Sequence, residues 1–267
     1  MKKYLFAVLT LLVVNTTYSD DRRFVYTYES LVLGKNQKDI ETWTTYRGGR
    51  EYFFSRFDNR LEFEIGLTNK LQTAFYLNMR NTTQTNLTNS DYETEFEWEG
   101  ISSEWKYQAL NKYKDGLGFA PYLEIGLNTR EIELETKLIF DKNISKKFIT
   151  AFNIVTEYEW EFNPAPEKTS KELSIEFDLG FAYDITNNFS VGLEARNVNA
   201  IPNGEGIEYS ALYIGPNLSY RTESWFFAFT YLPQLPAIKR SENLPNSALI
   251  LDDQERNNLR MILGFAL

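Results

Sequence analysis

The chain has 267 residues, 16% aromatic and 24% charged, with a formal net charge of -9 and no Cys or His. The acidic balance argues against nucleic acid as a partner. The missing Cys and His exclude zinc sites of the usual kind and any His-assisted nucleophile. Mean hydropathy is negative, and beyond the N-terminus no stretch is long and apolar enough for a spanning helix.

Residues 1–19 read as a secretory signal. Lys2 and Lys3 precede an apolar run, 4–14, that is too short to cross a bilayer, and Thr17 and Ser19 are small residues at signal-peptidase spacing. The rest, 20–267, reads as one domain of alternating segments separated by turn residues. The first of these is 22–33, and the next is 39–47. Residues 60–67 place Leu61, Phe63, Ile65 and Leu67 on one face, with Arg60, Glu62, Glu64 and Gly66 on the other. Thr68-Asn69-Lys70 turns the chain into 71–80, whose polar face carries Gln72, Tyr76, Asn78 and Arg80, a hairpin pattern.

A polar loop is expected at 81–91. Residues 92–99 then oppose aromatic residues and Thr to Glu93, Glu95, Glu97 and Glu99. After Gly100 the phase flips, and Ile101, Trp105 and Tyr107 become the apolar set. A β-bulge inside one long strand accounts for the flip, with a turn as the alternative. Segments at 117–127, 131–140 and 147–162 follow. Glu131, Glu133, Glu135 and Lys137 oppose Ile132, Leu134 and Leu138; Glu157, Glu159 and Glu161 oppose Tyr158, Trp160 and Phe162. A Pro-containing loop at 163–168 fits no central strand. Segments at 173–183 and 189–199, a loop at 201–206, strands near 207–220 and 223–232, and a long Pro-containing loop at 233–257 lead to the last strand. In 258–267, Leu259, Met261, Leu263, Phe265 and Leu267 share one face; Arg260, Ile262, Gly264 and Ala266 share the other.

This pattern predicts an all-β antiparallel transmembrane barrel. Polar residues occupy one face of nearly every segment, and Trp98, Tyr158, Trp160, Trp225 and Tyr231 stand near strand ends on the other, where an aromatic girdle belongs. A soluble sandwich would alternate too, with its charges toward water. Bacterial single-chain barrels have even strand numbers and periplasmic termini. Walking back from the C-terminus puts most long connections on one side and most tight ones on the other, with 128–130 as the exception. The walk gives about twelve strands beginning at 39–47, with ten and fourteen still open. Residues 22–33 are then surplus: they belong in the periplasm, in the lumen, or in a differently counted barrel.

The ending Phe265-Ala266-Leu267 resembles the terminal signal of Gram-negative outer-membrane barrels, although Phe is the usual last residue there. That resemblance implies outer-membrane lipid around the barrel and recognition of residues 258–267 by the barrel-assembly machinery. More broadly, Tyr26-Thr27-Tyr28-Glu29-Ser30, Glu64-Ile65-Gly66-Leu67-Thr68, Gly100-Ile101-Ser102-Ser103-Glu104-Trp105 and Val191-Gly192-Leu193-Glu194-Ala195-Arg196 resemble an uncharacterised family of bacterial outer-membrane barrels. The resemblance implies location and fold but no activity. Outer-membrane phospholipase, the omptin proteases and the lipid A deacylases resemble barrels of this size, and all use a catalytic His that this chain lacks.

No catalytic residue, cofactor or metal is therefore expected; loop carboxylates leave calcium open, but no EF-type spacing is present. The candidate lumen lining is Glu62, Glu64, Glu93, Glu95, Glu97, Glu131, Glu133, Glu135, Glu157 and Glu159, with Arg60, Arg80, Arg196 and Arg260 among them. An acidic lumen attracts cations and repels anions. The leading expectation is a passive, porin-like channel for small cationic or neutral solutes. The alternative is a plugged barrel filled by a Glu–Arg network, with its outer loops serving a structural or surface-binding role. A barrel enzyme comes third. Oligomeric state is not legible.

Overall fold

In the computed structural model the described residues are 22–88, 90–162, 171–202 and 206–267. The expected signal segment, 1–19, and the loop at 163–168 lie outside them. Twelve strands form a closed antiparallel barrel: β1 (Lys38–Gly48), β2 (Phe54–Gly66), β3 (Leu71–Thr85), β4 (Tyr92–Tyr107), β5 (Gly118–Leu127), β6 (Glu131–Asn143), β7 (Phe148–Glu161), β8 (Lys171–Asp184), β9 (Phe189–Pro202), β10 (Tyr209–Arg221), β11 (Trp225–Lys239) and β12 (Asn257–Ala266). Each strand pairs with its sequence neighbours. The seam closes β12 on β1, from Asp39 opposite Ala266 to Gly48 opposite Asn257. Closure leaves no unpaired sheet edge, the condition for a sheet to cross hydrocarbon.

The period-two pattern decides which way each strand faces. Phe75, Ile101 and Leu193 are each more than half exposed on the outside, and Met261 and Phe265 continue that row on β12. A contiguous apolar exterior of this kind suits a bilayer and not water. Tyr107, Tyr183, Tyr220 and Trp225 stand at the rim of the tight turns; Trp98, Tyr158, Trp160 and Tyr231 stand toward the other rim. The rings of Tyr158 and Trp160 meet edge to face at 4.2 Å. A four-residue helix, α1 (Lys112–Asp115), lies in the β4–β5 connection, where the Asn111 side chain caps it by accepting from Tyr113 N–H. No described helix is long and apolar enough to cross a membrane.

The phase flip in β4 is a bulge. Asn78 pairs with Gly100 and Met79 with Trp98, which leaves Glu99 as the extra residue. Gly100 has a φ of +93°, and a Cβ there would stand 2.1 Å from the Leu127 carbonyl oxygen.

Two connections differ from expectation. The polar stretch 81–91 is strand as far as Thr85, where β3 ends, and β4 starts at Tyr92. Thr83 and Thr94 face each other across the ladder with hydroxyls 3.0 Å apart, so polar side chains here continue a hairpin. Likewise β11 continues through Pro233 and Pro236 to Lys239. The β10–β11 pairing is interrupted between Tyr213/Gln234 and Asn217/Thr230, the interval that holds Pro216 and Pro233. The rest of that loop turns inward. Gln234 donates to Ile250 O (3.0 Å) and accepts from Ile250 N–H (2.6 Å), and Ile250 is fully buried.

Candidate functional site

The surplus segment 22–33 lies inside the barrel. Among the described residues it fills the half of the lumen next to the tight turns, and Phe24 and Val25 are completely buried. An extended segment in a lumen brings backbone donors that need partners, and inward side chains of the wall supply them. Glu194 Oε1 accepts from three successive amides, Val25 (3.0 Å), Tyr26 (2.8 Å) and Thr27 (2.8 Å). Asn153 clasps Tyr28 through both its N–H and its carbonyl. Leu33 N–H donates to Gln72 Oε1 at 2.8 Å, and Asn217 donates to Arg23 O at 2.9 Å. Phe24 fits against Gly180, where a Cβ would come within 2.7 Å of its ring.

Charge fastens the same plug. Arg23 pairs with Asp184 (3.1 Å) and Glu29 (3.5 Å). Glu29 also pairs with Lys112 of α1 (2.6 Å), and Lys112 in turn meets Asp141 (2.7 Å). Burial pushes the Glu29 carboxyl up, but Lys112 and Arg23 outweigh it and hold the group at about 2 against an ordinary 4.5. Burial pushes the Lys112 ammonium down, and Glu29 and Asp141 reverse that, so its value lies above the ordinary one.

Beyond the plug, toward the longer connections, a vestibule of about 670 Å³ remains. Tyr26 and Tyr28 form its floor. Arg196 and Arg260 lie over the Tyr26 ring at 4.0 and 3.9 Å, and Lys137 lies over Tyr28 at 4.1 Å. The walls are charge-segregated. On β1–β3, Arg47, Arg56 and Arg80 converge on one carboxylate, Asp58, at 2.8, 3.2 and 3.2 Å. Across the lumen, β6 and β7 put Glu131 opposite Glu161, Glu133 opposite Glu159, and Glu135 opposite Glu157. Like charges directly opposite each other cost stability in a sheet, so these rungs are not explained by strand pairing. Glu176 and Asp178 on β8 continue the acidic wall and hold Arg196 at 2.5 and 3.5 Å. Fifteen acidic and eight basic side chains line the vestibule.

Of the residues expected in the lumen, the structure gathers Glu131, Glu133, Glu135, Glu157, Glu159, Arg60, Arg80, Arg196 and Arg260 around this vestibule. Glu62 and Glu64 face the lumen deeper in the wall and are buried. Glu93, Glu95 and Glu97 do not line the cavity. Glu93 and Glu95 are exposed on the extended β3–β4 hairpin, and Glu97 meets the exposed Arg130 at 3.6 Å. Alternation set their face correctly but could not show how far the hairpin runs beyond its neighbours. Arg47, Arg56 and Asp58 are not among the expected lining residues, because the alternating segment is expected to begin only at 60, whereas β2 starts at Phe54. The signal was available: Arg56, Asp58 and Arg60 share the parity of Glu62. Glu194 and Asn153 carried no sequence signal, since a plug acceptor looks like any polar residue on an inward face.

Solved structures with this fold include the COG4313 outer membrane channel from Pseudomonas putida F1 (TM-score 0.59, 11% identity, 91% of this chain and 100% of that one). The NanC porin is also similar (TM-score 0.53, 14% identity, 85% and 100%). So is the beta domain of the Bordetella autotransporter BrkA (TM-score 0.53, 7% identity, 87% and 100%). At these identities the likeness concerns the fold. No curated protein matches the sequence significantly. Over residues 16–267 the sequence matches the family of unknown function DUF6662, and the chain belongs to that family.

Proposed function

We propose that the protein is a passive channel of the bacterial outer membrane, exported by the signal at 1–19 and assembled through residues 258–267. Its solutes are small, and cationic or neutral ones pass in preference to anions. The observation that supports this reading is the vestibule, where glutamates on β6 and β7 face arginines on β1–β3 across the cavity, with acids in excess. Opposed charged walls create a transverse field that orients a polar solute, and net negative charge draws cations to the mouth. The segment 22–33 closes the periplasmic half, so conduction requires it to shift or leave.

A permanently closed barrel is the second reading, favoured by the number of hydrogen bonds that hold the plug. Planar-bilayer recording separates the two. The full protein is expected to show small or intermittent currents, and a variant lacking residues 20–33 a larger, steady, cation-preferring conductance. Absence of current from both proteins would overturn the channel reading.

A further inference from the structure

We propose that Glu41, Glu62 and Glu64 bind one hard divalent cation of the calcium class, inside the barrel beside the plug. Each offers a carboxylate oxygen, and the three oxygens lie within 4.8 Å of one another. Calcium takes oxygen ligands at about 2.3–2.6 Å, so opposite ligands stand about 4.6–5.2 Å apart, and the three atoms fit within one coordination sphere. The side chains are 0%, 1% and 3% exposed. Magnesium dehydrates reluctantly and suits so dry a site less well.

A second observation points to a ligand. Glu62 Oε2 and Glu64 Oε2 are buried with no hydrogen-bond partner, and so is Glu104 Oε1. Glu104 is not one of the three, but it sits at their level, because Glu64 pairs with Ala74 and Ala74 with Glu104. Tyr76 O–H donates to the other oxygen of Glu104, which leaves Oε1 free. Orphaned carboxylate oxygens are costly when buried, and a cation held by Glu41, Glu62 and Glu64 would satisfy the two on β2. Arg22 reaches Glu41 at 3.5 Å, whereas Arg60 is engaged by Glu124 at 3.1 Å. An ion here would join β1 to β2 and, through Glu41 and Arg22, to the plug.

The test uses the full mature chain refolded into detergent with calcium and then desalted, because a buried ion would be trapped during folding. Metal analysis is expected to find about one calcium per chain. Trp43, whose indole N–H donates to Glu41 at 2.7 Å, supplies an optical reading. Protein refolded with terbium should show emission excited through tryptophan, most of it lost in W43F. E62Q/E64Q should retain about a hundredfold less metal, while E93Q/E95Q on the exposed hairpin should retain it all. Absence of retained calcium in the wild-type chain, or unchanged retention in E62Q/E64Q, would overturn the proposal. If that double variant does not refold, the wild-type and W43F proteins decide: terbium emission that persists undiminished in W43F puts the ion elsewhere.

Discussion

Tyr28 and Asn153 hold each other by two hydrogen bonds. The Tyr28 amide donates to Asn153 Oδ1 at 2.6 Å, and Asn153 Nδ2 donates to the Tyr28 carbonyl at 3.1 Å. One wall side chain thus acts as a strand edge for a backbone that has none. Glu194 does the same for the three residues before it. Together they make 22–33 a docked segment whose attachment can be weakened at single positions.

The plug should loosen when these acceptors are removed. Glu194→Ala leaves three buried amides without a partner and should cost about 3 kcal/mol or more of docking. Asn153→Ala should cost about 2 kcal/mol. The readouts are trypsin cleavage after Arg22 and Arg23, and longer open times in bilayers. Cleavage at the wild-type rate in E194A would show that the segment is not held this way.

Phe24 and Gly180 give an independent handle. Gly180→Leu fills the space of a fully buried ring, so it should expel the segment while the barrel stays closed. Phe24→Ala should weaken docking by about 3–4 kcal/mol. Heat-modifiable gel mobility checks the barrel and proteolysis checks the plug.

Acid should release the Glu29 end of the plug. Its carboxyl is depressed in the folded state, from 4.5 to about 2. A depressed acid stabilises above its unfolded value, and the stabilisation is lost as pH falls through the folded value. Docking should therefore be constant above about pH 4.5 and weaken between about pH 4.5 and 2. Glu29→Gln should remove most of this dependence, as followed by amide exchange at residues 22–33. A pH profile identical to wild type in E29Q would exclude Glu29 as its source.

The opposed walls should be separable by charge. Glu131→Gln, Glu133→Gln and Glu135→Gln together should move the permeability ratio of the plug-deleted barrel toward parity between cations and anions. Arg47→Gln with Arg56→Gln should move it the other way. Reversal potentials in a salt gradient measure both. Anion preference in the unmutated barrel at neutral pH would contradict the acidic-lumen reading.

Much of this was legible because a barrel repeats a single rule. Arg260 and Ile262 face inward and Met261 and Phe265 outward, as alternation requires. The bulge at Gly100 was readable because the apolar and polar faces exchange there within one strand. Element lengths were less legible. Polar residues at 81–85 look the same in a loop as in a hairpin that runs past its neighbours, and Pro233 marks an interrupted ladder as easily as a strand end.

The sequence by itself determined the fold class, the direction in which each strand faces and the acid-rich inner surface. Those properties follow from a period of two, which local order along the chain preserves. Only the tertiary structure decided where 22–33 lies, that Arg47, Arg56 and Arg80 stand across the lumen from the glutamates of β6 and β7, and that Glu41, Glu62 and Glu64 converge. These depend on which strands stand across the lumen and on how a backbone without a sheet finds its partners. Both are set by barrel closure, which brings together residues as distant as Tyr28 and Asn153.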